Sequence, residues 1–516
     1  MDTMPWLTLA IVAPLAGVPV LLLWRSISDD SARWVGLAAT LVAFAVSLGM
    51  LANFETGQAG FQMVSKHPWV ESVGLSWFLG VDGFSIWLVM VTTFMFPIAI
   101  AASWKVDHQV RRYMAMSLFL ETVIIGAFLS LDLLLFFVFF EALLFPMYYI
   151  IGVWDSKRRV YAATKFLLYT MFGSAFLLVG ILYLYAESGR QLGAATFDIT
   201  ALGQLELSTS AGRWLFLAFF IGFAVKVPVW PLHTWLPDAH TEAPTKGSIV
   251  LAAILLKTGP YGMLRFNLDL FPEAAQYFAT AIMVLAVIGI VYGAVVAMMQ
   301  TDIKRLIAYS SVSHMGLIVL GIFAFSAESM DGAVLQMVNH GLSTGMLFLV
   351  FGMLYERTHT REIADLGGIV QVTPWLAGAY VIAMLSSIGL PGLNNFVGEF
   401  LVLLGTFSVD RVLASIAILG VILSAVYMLW SYQRAFQGPL KDRWASLPDL
   451  SWREGAIVVP IVVAMLWIGL HPAPVLERMR PTSEQMSERM ATYEPSTTSS
   501  TASTTTAGDP TGEEAP

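Results

Sequence analysis

The chain has 516 residues, of which 57% are hydrophobic and only 12% are charged. A soluble protein normally has about twice that charged fraction, so this composition indicates a protein surrounded largely by lipid. The sequence contains no cysteine, which excludes disulfides, thiolate zinc sites and iron–sulfur clusters held by this chain. The net charge of −8 comes without any basic cluster, so nothing in the sequence indicates a nucleic-acid partner.

Fourteen apolar runs approach the length of about 20 residues that a helix needs to cross a bilayer. They lie at 6–24, 35–53, 82–104, 113–130, 132–153, 164–185, 213–233, 246–266, 276–299, 305–325, 332–355, 374–407, 411–433 and 455–471. The run at 374–407 is too long for one straight span and is interrupted by Pro391-Gly392, so we expect two half-helices there. The first run lacks the flanking signals of a signal peptide and is predicted to be a retained helix. The sequence therefore predicts an all-α polytopic membrane protein with about 14 transmembrane helices.

Lysine and arginine are distributed unevenly between the loops. The loops after odd-numbered spans contain 18 of the 28 Lys and Arg residues, the loops after even-numbered spans contain 5, and the C-terminal segment contains 3. The positive-inside rule then places the odd-numbered loops in the cytoplasm and both termini outside. The Ser/Thr-rich residues 491–516 cannot form a core and are predicted to be a disordered external tail.

Six ionisable side chains lie well inside the predicted spans, each on a different span. They are Glu141, Lys226, Lys257, His314, His340 and Glu399. An ionised group at mid-bilayer costs about 2.5–3.5 kcal/mol on insertion scales, so each should face the bundle interior, a partner or water. A single residue of this kind is readily explained by a structural ion pair, whereas six on separate helices favour a hydrated path through the bundle.

Polar residues accompany both histidines. One stripe on the eleventh span has the spacing of a single helix face and consists of Gln336, Asn339, His340, Ser343 and Thr344. A shorter stripe on the tenth span consists of Tyr309, Ser310, Ser313 and His314. Serine and threonine alone would equally suit hydrogen bonds between helices, but a histidine in each stripe favours a path for protons.

A lysine beside a glutamate can act as a proton switch. Desolvation lowers the pKa of a lysine by up to about 3–5 units, whereas a nearby carboxylate raises it. If Glu141 lies close to Lys226, the lysine would hold its proton while the two are paired and release it when they separate.

Prolines interrupt two of the spans that carry these groups. Pro228 and Pro231 follow Lys226 in the seventh span, and Pro391 precedes Glu399 in the twelfth. Broken helices at membrane depth are tolerated only inside protein or beside water, and breaks at corresponding positions of two halves indicate inverted repeats. We therefore predict two inverted five-helix repeats, formed by spans 4–8 and spans 9–13.

Three other kinds of site fit the sequence less well than a proton path. His314 and His340 could bind a b-type haem between neighbouring helices, but each lies in a polar stripe and no second histidine pair completes a transmembrane electron path. A substrate transporter would need a charged recognition site near mid-membrane, and no arginine or aspartate marks one. No ligand cluster suits a conventional metal site.

Several long segments resemble one membrane-protein family. They are SLDLLLFFVFFEALLFPMYYIIG, VKVPVWPLHTWLPDAHTEAPT, LLKTGPYGMLRF, DIKRLIAYSSVSHMG, NHGLSTGMLFLVFGMLYERTHTR and SSIGLPGLNNFVGEF. These segments look like the antiporter-like subunits of respiratory complex I, the proton-pumping NADH:quinone oxidoreductase, and among those subunits they resemble subunit M. The resemblance runs from about residue 76 to 435.

The resemblance implies a proton-translocating subunit of this enzyme in the bacterial inner membrane, with no cofactor in this chain. FMN, iron–sulfur clusters and quinone would lie on partner subunits, and neighbouring antiporter-like subunits would be its partners. It implies that Glu141 and Lys226 form a coupled pair and that Lys257 is the connecting site after this pair. His314 and His340 would continue the path, and Glu399 would be the site on the outlet side. Lys246 departs from the family pattern and is given no role.

Two alternatives to this function stay open. A subunit of a multi-chain Na+/H+ antiporter would share the fold, although Glu399 and the segment YERTHTR favour complex I. A scaffold that only holds neighbouring pump subunits is the other alternative.

The predicted division of the chain follows the spans. It consists of an N-terminal three-helix segment at 1–104, a first five-helix repeat at 113–266, a second at 276–433, a cytoplasmic loop with the last helix at 434–471, and an external, largely disordered tail at 472–516.

Overall fold

The computed structural model describes residues 4–154 and 158–493 of the chain. Its helices and strands, in chain order, are α1 (Trp6–Leu23), α2 (Asp29–Ala52), β1 (Gln62–Val70), β2 (Leu75–Val81), α3 (Ser85–Ala102), α4 (Val110–Leu129), α5 (Leu133–Ala142), α6 (Leu144–Val153), α7 (Arg159–Leu192), α8 (Ile199–Leu202), α9 (Thr209–Lys226), α10 (Trp235–Glu242), α11 (Thr245–Ala253), α12 (Thr258–Gly262), α13 (Pro272–Met298), α14 (Ile303–Phe323), α15 (Ala327–Thr358), α16 (Pro374–Ser387), α17 (Asn394–Val409), α18 (Arg411–Phe436), α19 (Trp452–Leu470) and α20 (Ala473–Ala491).

Most of these helices have the length and composition of membrane spans. Within the described residues, twelve helical segments are long and apolar enough to cross a membrane. Two shorter apolar helices, α16 and α17, flank the break that Pro391-Gly392 predicts. The all-α polytopic class is therefore confirmed. The total of fourteen spans and the two five-helix repeats stay predictions.

Helix α15 forms the centre of the bundle. Every residue from Ser329 to Leu354 is buried, and the helix packs against α17, α14, α11 and α16. Glycines allow this close approach, since a Cβ on Gly332 would meet the backbone nitrogen of Val402 on α17. Peripheral helices differ, as α7 exposes a row of apolar side chains, including Leu168, Phe172 and Val179.

The seventh predicted span is broken as expected. Helix α9 ends at Lys226, and the chain turns before α10 begins at Trp235. The indole Nε1 of Trp235 donates a hydrogen bond of 2.8 Å to the carbonyl oxygen of Val225. This bond satisfies a backbone group that the end of the helix would otherwise leave unpaired inside the bundle.

An antiparallel hairpin, which the sequence analysis did not predict, lies between α2 and α3. Strands β1 and β2 are joined through a short 3-10 turn, and Gly74 follows that turn with φ 68°. The Lys66 amine of β1 forms a 2.5 Å ion pair with Asp198, which caps α8. The hairpin was missed because its alternation is short, contains Pro68 and stands beside much stronger helical signals.

The predicted disorder of the C-terminal segment is wrong for residues 473–491. These residues form α20, whose apolar residues Val475, Met479, Met486 and Met490 share one buried face and pack towards α15 and α13. Ser483 on α20 donates a hydrogen bond of 2.5 Å to Asp331. The segment is too polar to span a membrane, and its amphipathic spacing explains why it lies on the bundle instead. Residues 494–516 lie outside the described part of the chain, and the other domain boundaries stay predictions.

A buried ion pair ties the start of α3 to the π-helical segment Met263–Leu268. The Arg265 guanidinium lies 2.5 Å from the Asp82 carboxylate, and the two side chains are 5% and 1% exposed. Asp82 also accepts a hydrogen bond of 2.9 Å from the backbone N–H of Ser85. Arg265 is one of the five Lys and Arg residues assigned above to the loops after even-numbered spans, although it lies at the end of the run 246–266, and the structure buries it there.

Candidate functional site

Glu141 and Lys226 approach each other at the C-terminal ends of α5 and α9. The Lys226 amine is fully buried, donates a 2.5 Å hydrogen bond to the Phe140 carbonyl and lies 3.3 Å from the centre of the Phe140 ring. Glu141 is the next residue and accepts a hydrogen bond from Ser174 of α7. The Lys226 amine therefore contacts Phe140, the residue before Glu141, and the amine and the carboxylate have separate hydrogen-bond partners.

Lys257 and His340 are in direct contact. Lys257 lies in the 3-10 turn Leu255–Lys257 between α11 and α12, and its amine is 2.8 Å from His340 Nδ1 on α15. The amine also donates to the carbonyl oxygen of Ala252. An ammonium is a donor only, so Nδ1 of a neutral imidazole is a suitable acceptor for its proton.

The two predicted histidines are adjacent. The His314 ring on α14 and the His340 ring on α15 meet edge to face, with their centroids 5.4 Å apart. Lys257, His340 and His314 therefore form one continuous buried group at the centre of the bundle. The contact between the rings leaves no room for a macrocycle, which argues against a haem between these histidines. Among the described residues, no three His, Asp or Glu side chains are grouped closely enough to hold a metal ion.

Glu399 is connected to this group through α15. Its Oε1 accepts a 3.3 Å hydrogen bond from Gln336 Nε2, and Gln336 lies one turn before His340. The break before α17 is stabilised by Asn339 and Asn394, which each donate a side-chain hydrogen bond to the other's carbonyl, at 2.7 and 3.1 Å. The polar stripe predicted on this helix is thus fully buried.

The six predicted residues fall into three groups in space. Glu141 with Lys226 forms the first, Lys257 with both histidines forms the second, and Glu399 with Gln336 forms the third. Helix α15 links the second group to the third. The structure gives no direct hydrogen bond between the first group and the second.

The sequence analysis missed two fully buried ionisable residues. His240 on α10 stacks on the Phe348 ring with the centroids 4.8 Å apart, and neither of its ring nitrogens has a hydrogen-bond partner among the described residues. His240 lies in a proline-rich segment between the predicted spans 213–233 and 246–266, so it was not among the candidates. Glu121 on α4 is equally buried, and the motif LFLETVII was the signal that could have identified it.

Lys304, counted above as a loop charge, is buried and donates to the Ala243 carbonyl. The side chain of Lys246 is outside the described part of the structure.

A helical bundle with broken helices and a line of buried lysine, histidine and glutamate side chains defines a class of membrane proteins that translocate protons or cations. Comparison with known proteins narrows the class. The family described as NADH:quinone oxidoreductase/Mrp antiporter matches residues 130–425. NADH-quinone oxidoreductase subunit M from Rhodobacter capsulatus is 48% identical, over 88% of this chain and 90% of its own length. Subunit M from Mycobacterium tuberculosis is 38% identical, over 96% of each chain.

Solved structures agree with these relatives. A chain of respiratory complex I from Thermus thermophilus with bound NADH has a TM-score of 0.86 and 32% identity, covering 94% of this chain and 99% of that one. A chain of the Mrp complex from Dietzia has a TM-score of 0.79 at 20% identity, covering 95% of this chain and 99% of that one, and so shares the fold. This chain belongs to the subunit M family of NADH-quinone oxidoreductase, the antiporter-like membrane subunits of respiratory complex I, which confirms the resemblance seen in the sequence.

Proposed function

We propose that this chain moves protons across the membrane as a subunit of NADH:quinone oxidoreductase, along its buried lysine, histidine and glutamate side chains. The observation that carries the proposal is the 2.8 Å contact between the Lys257 amine and His340 Nδ1, because it joins two exchangeable groups inside an apolar bundle. Redox chemistry in partner subunits drives the movement. FMN, the iron–sulfur clusters and quinone belong to those partners.

Each group has a distinct part in the proposed route. Lys226 holds a proton beside Glu141, and separation of the pair releases it. Lys257 then donates to His340, and the edge-to-face contact at 5.4 Å connects His340 with His314. The hydrogen bond from Gln336 holds Glu399 at the far side of α15, where its carboxylate takes the proton at the outlet.

The charge distribution supports an orientation for this route. It places both termini on the outer side of the bacterial inner membrane, so that protons enter from the cytoplasmic loops. Neighbouring antiporter-like subunits are the partners through which conformational or electrostatic changes reach this chain.

Purification of the chain from its native membrane in mild detergent tests the function. We expect NADH:quinone reductase activity to co-purify with flavin and iron–sulfur subunits, and the reconstituted preparation to acidify vesicles when NADH is added. A preparation that contains only hydrophobic partners and exchanges Na+ for protons without NADH would instead support the multi-chain antiporter. If Glu141→Gln changed assembly but not the protons moved per NADH, the chain would be a scaffold.

Gly389→Ala should impair the outlet without unfolding the chain. Gly389 has φ 73° in the break before α17, and a Cβ there would contact Glu399 Oε2. The left-handed conformation costs an alanine only about 1–2 kcal/mol, but the new methyl group would displace the carboxylate from Gln336. We expect NADH-driven proton transport in vesicles to fall about 10- to 100-fold.

The matched control is Gly378→Ala in α16, where an added Cβ meets no atom within 4 Å. The control should transport protons normally. Equal transport by the two variants, with both complexes assembled, would contradict the placement of Glu399 on the route.

A further inference from the structure

Glu121 is a buried carboxyl group that the proposed route does not use. It lies midway along α4, is fully buried, and neither oxygen has a hydrogen-bond partner among the described residues. Other buried glutamates are bonded, for example Glu399 to Gln336 and Glu454 to Arg357. A purely structural carboxyl group would be expected to hold two elements together through hydrogen bonds, and Glu121 holds none. Its presence at this depth therefore indicates another role.

Glu121 ends a polar stripe on α4. Tyr113, Ser117 and Glu121 follow one another at intervals of four residues, which places them on one side of the helix, and all three are buried. The Ser117 hydroxyl donates to the Tyr113 carbonyl at 2.9 Å, and the Tyr113 hydroxyl accepts from Ser103 at 3.3 Å. The polar side chains thus line up along the first half of α4.

The first end of the stripe reaches the surface. The backbone N–H of Tyr113 donates to the Gln109 carbonyl, and the Gln109 side chain accepts a 3.1 Å hydrogen bond from Tyr149. The other side-chain atom of Gln109, Nε2, lies 3.0 Å from the ring of the exposed residue His108. This loop is on the side that the charge distribution predicts to be cytoplasmic.

The part of α4 that follows the stripe contacts the helical segment that carries Lys257. Phe128 lies seven residues after Glu121, on the same side of α4, and its carbonyl accepts a 2.9 Å hydrogen bond from the Tyr261 hydroxyl. Tyr261 lies four residues after Lys257. The polar side chains thus extend from the surface at His108 to Glu121, and the hydrogen bond of Tyr261 holds the end of α4 against the segment that carries Lys257.

We propose that Glu121 is a proton-binding residue on an additional uptake branch, which runs from His108 past Tyr113 and Ser117 and supplies Lys257. The carboxylate takes up one proton on an oxygen, becomes a neutral carboxylic acid, and returns to the carboxylate when it passes that proton inward. No electron transfer is involved. This inference rests on the proposed function.

The test uses the whole complex carrying Glu121→Gln, reconstituted in vesicles. We expect NADH-driven proton transport to fall about two- to tenfold, less than in Lys226→Ala, because the main route still supplies Lys257 when the branch loses its proton-binding residue. We also expect the infrared difference spectrum recorded on NADH addition to lose one carboxylic acid band. A purely structural role would not move that band.

Thr122→Val is the matched control. Thr122 is the buried neighbour of Glu121, and among the described residues its hydroxyl bonds only to the Leu118 carbonyl of its own helix, so transport and the infrared spectrum should be unchanged. Glu121→Asp keeps the acid and should restore part of the transport with a shifted band, which keeps the test decisive if Glu121→Gln fails to assemble.

Failure of the uptake branch and failure of the proposed function would give different results. Normal transport and an unchanged band in Glu121→Gln, or an unshifted band in Glu121→Asp, would overturn the uptake branch while leaving the main route intact. Normal transport in Lys226→Ala would instead contradict the proposed function itself.

Discussion

Lys226→Ala is expected to abolish most NADH-driven proton transport while the chain stays inserted and assembled. The substitution removes a fully buried ammonium that is bonded to the Phe140 carbonyl beside Glu141, so the proposed proton carrier is lost without leaving a new charge in its place. We expect a loss of about 100-fold or more in the initial rate of vesicle acidification, measured with a pH-sensitive dye.

Two further substitutions test whether transport depends on the exchangeable proton of Lys226 or only on its positive charge. Lys226→Arg keeps a cation but cannot release its proton, so it should transport as poorly as the alanine variant. Lys66→Ala removes a half-exposed lysine from the hairpin and should transport normally. Full transport by Lys226→Ala would contradict the proposed function.

Arg265→Ala should have the largest effect on stability. It would leave Asp82, 1% exposed, without its ionic partner at the start of α3. Breaking a buried pair by removing one member typically costs about 3–5 kcal/mol, a large part of the free energy of unfolding of a typical domain. We expect little assembled complex on native gels and rapid thermal inactivation of what remains.

Replacing both partners tests whether the unpaired charge is the cause. The double variant Asp82→Leu with Arg265→Leu removes the buried charge and should recover part of the assembled complex. Arg411→Ala, at the exposed start of α18, is the control and should assemble normally. Equal assembly of Arg265→Ala and Arg411→Ala would show that the ion pair contributes little.

The helices and the burial of most candidate-site residues could be predicted because apolar length and an ionisable residue within an apolar run are properties of short segments. A run such as 276–299 needs no knowledge of its neighbours, and a lysine at position 257 within an apolar span is conspicuous by itself. The contact between Lys257 and His340 could not be predicted, since it joins residues 83 positions apart whose distance depends on the packing of two helices.

The hairpin, α20 and the burial of His240 were not predicted for a different reason. Neither the hairpin β1–β2 nor the amphipathic helix α20 is continuously apolar, so a search for membrane spans identifies neither of them. His240 stands among prolines that indicate an interruption, but the chain folds back as α10 and returns the ring to the interior. In each case tertiary packing, rather than local composition, determines the burial.

Helix α15 is unbroken over its whole length, unlike the helices that carry Lys226 and Glu399. Its 32 residues form a rod about 48 Å long, whereas the helices that carry Lys226 and Glu399 adjoin interruptions at residues 227–234 and 388–393. An unbroken helix that packs beside an interrupted one provides an internal reference for measuring movement. Distances between probes placed along α15 should stay constant during turnover. Any movement should change the distance between a probe on α15 and a probe on the helix that carries Lys226 or Glu399.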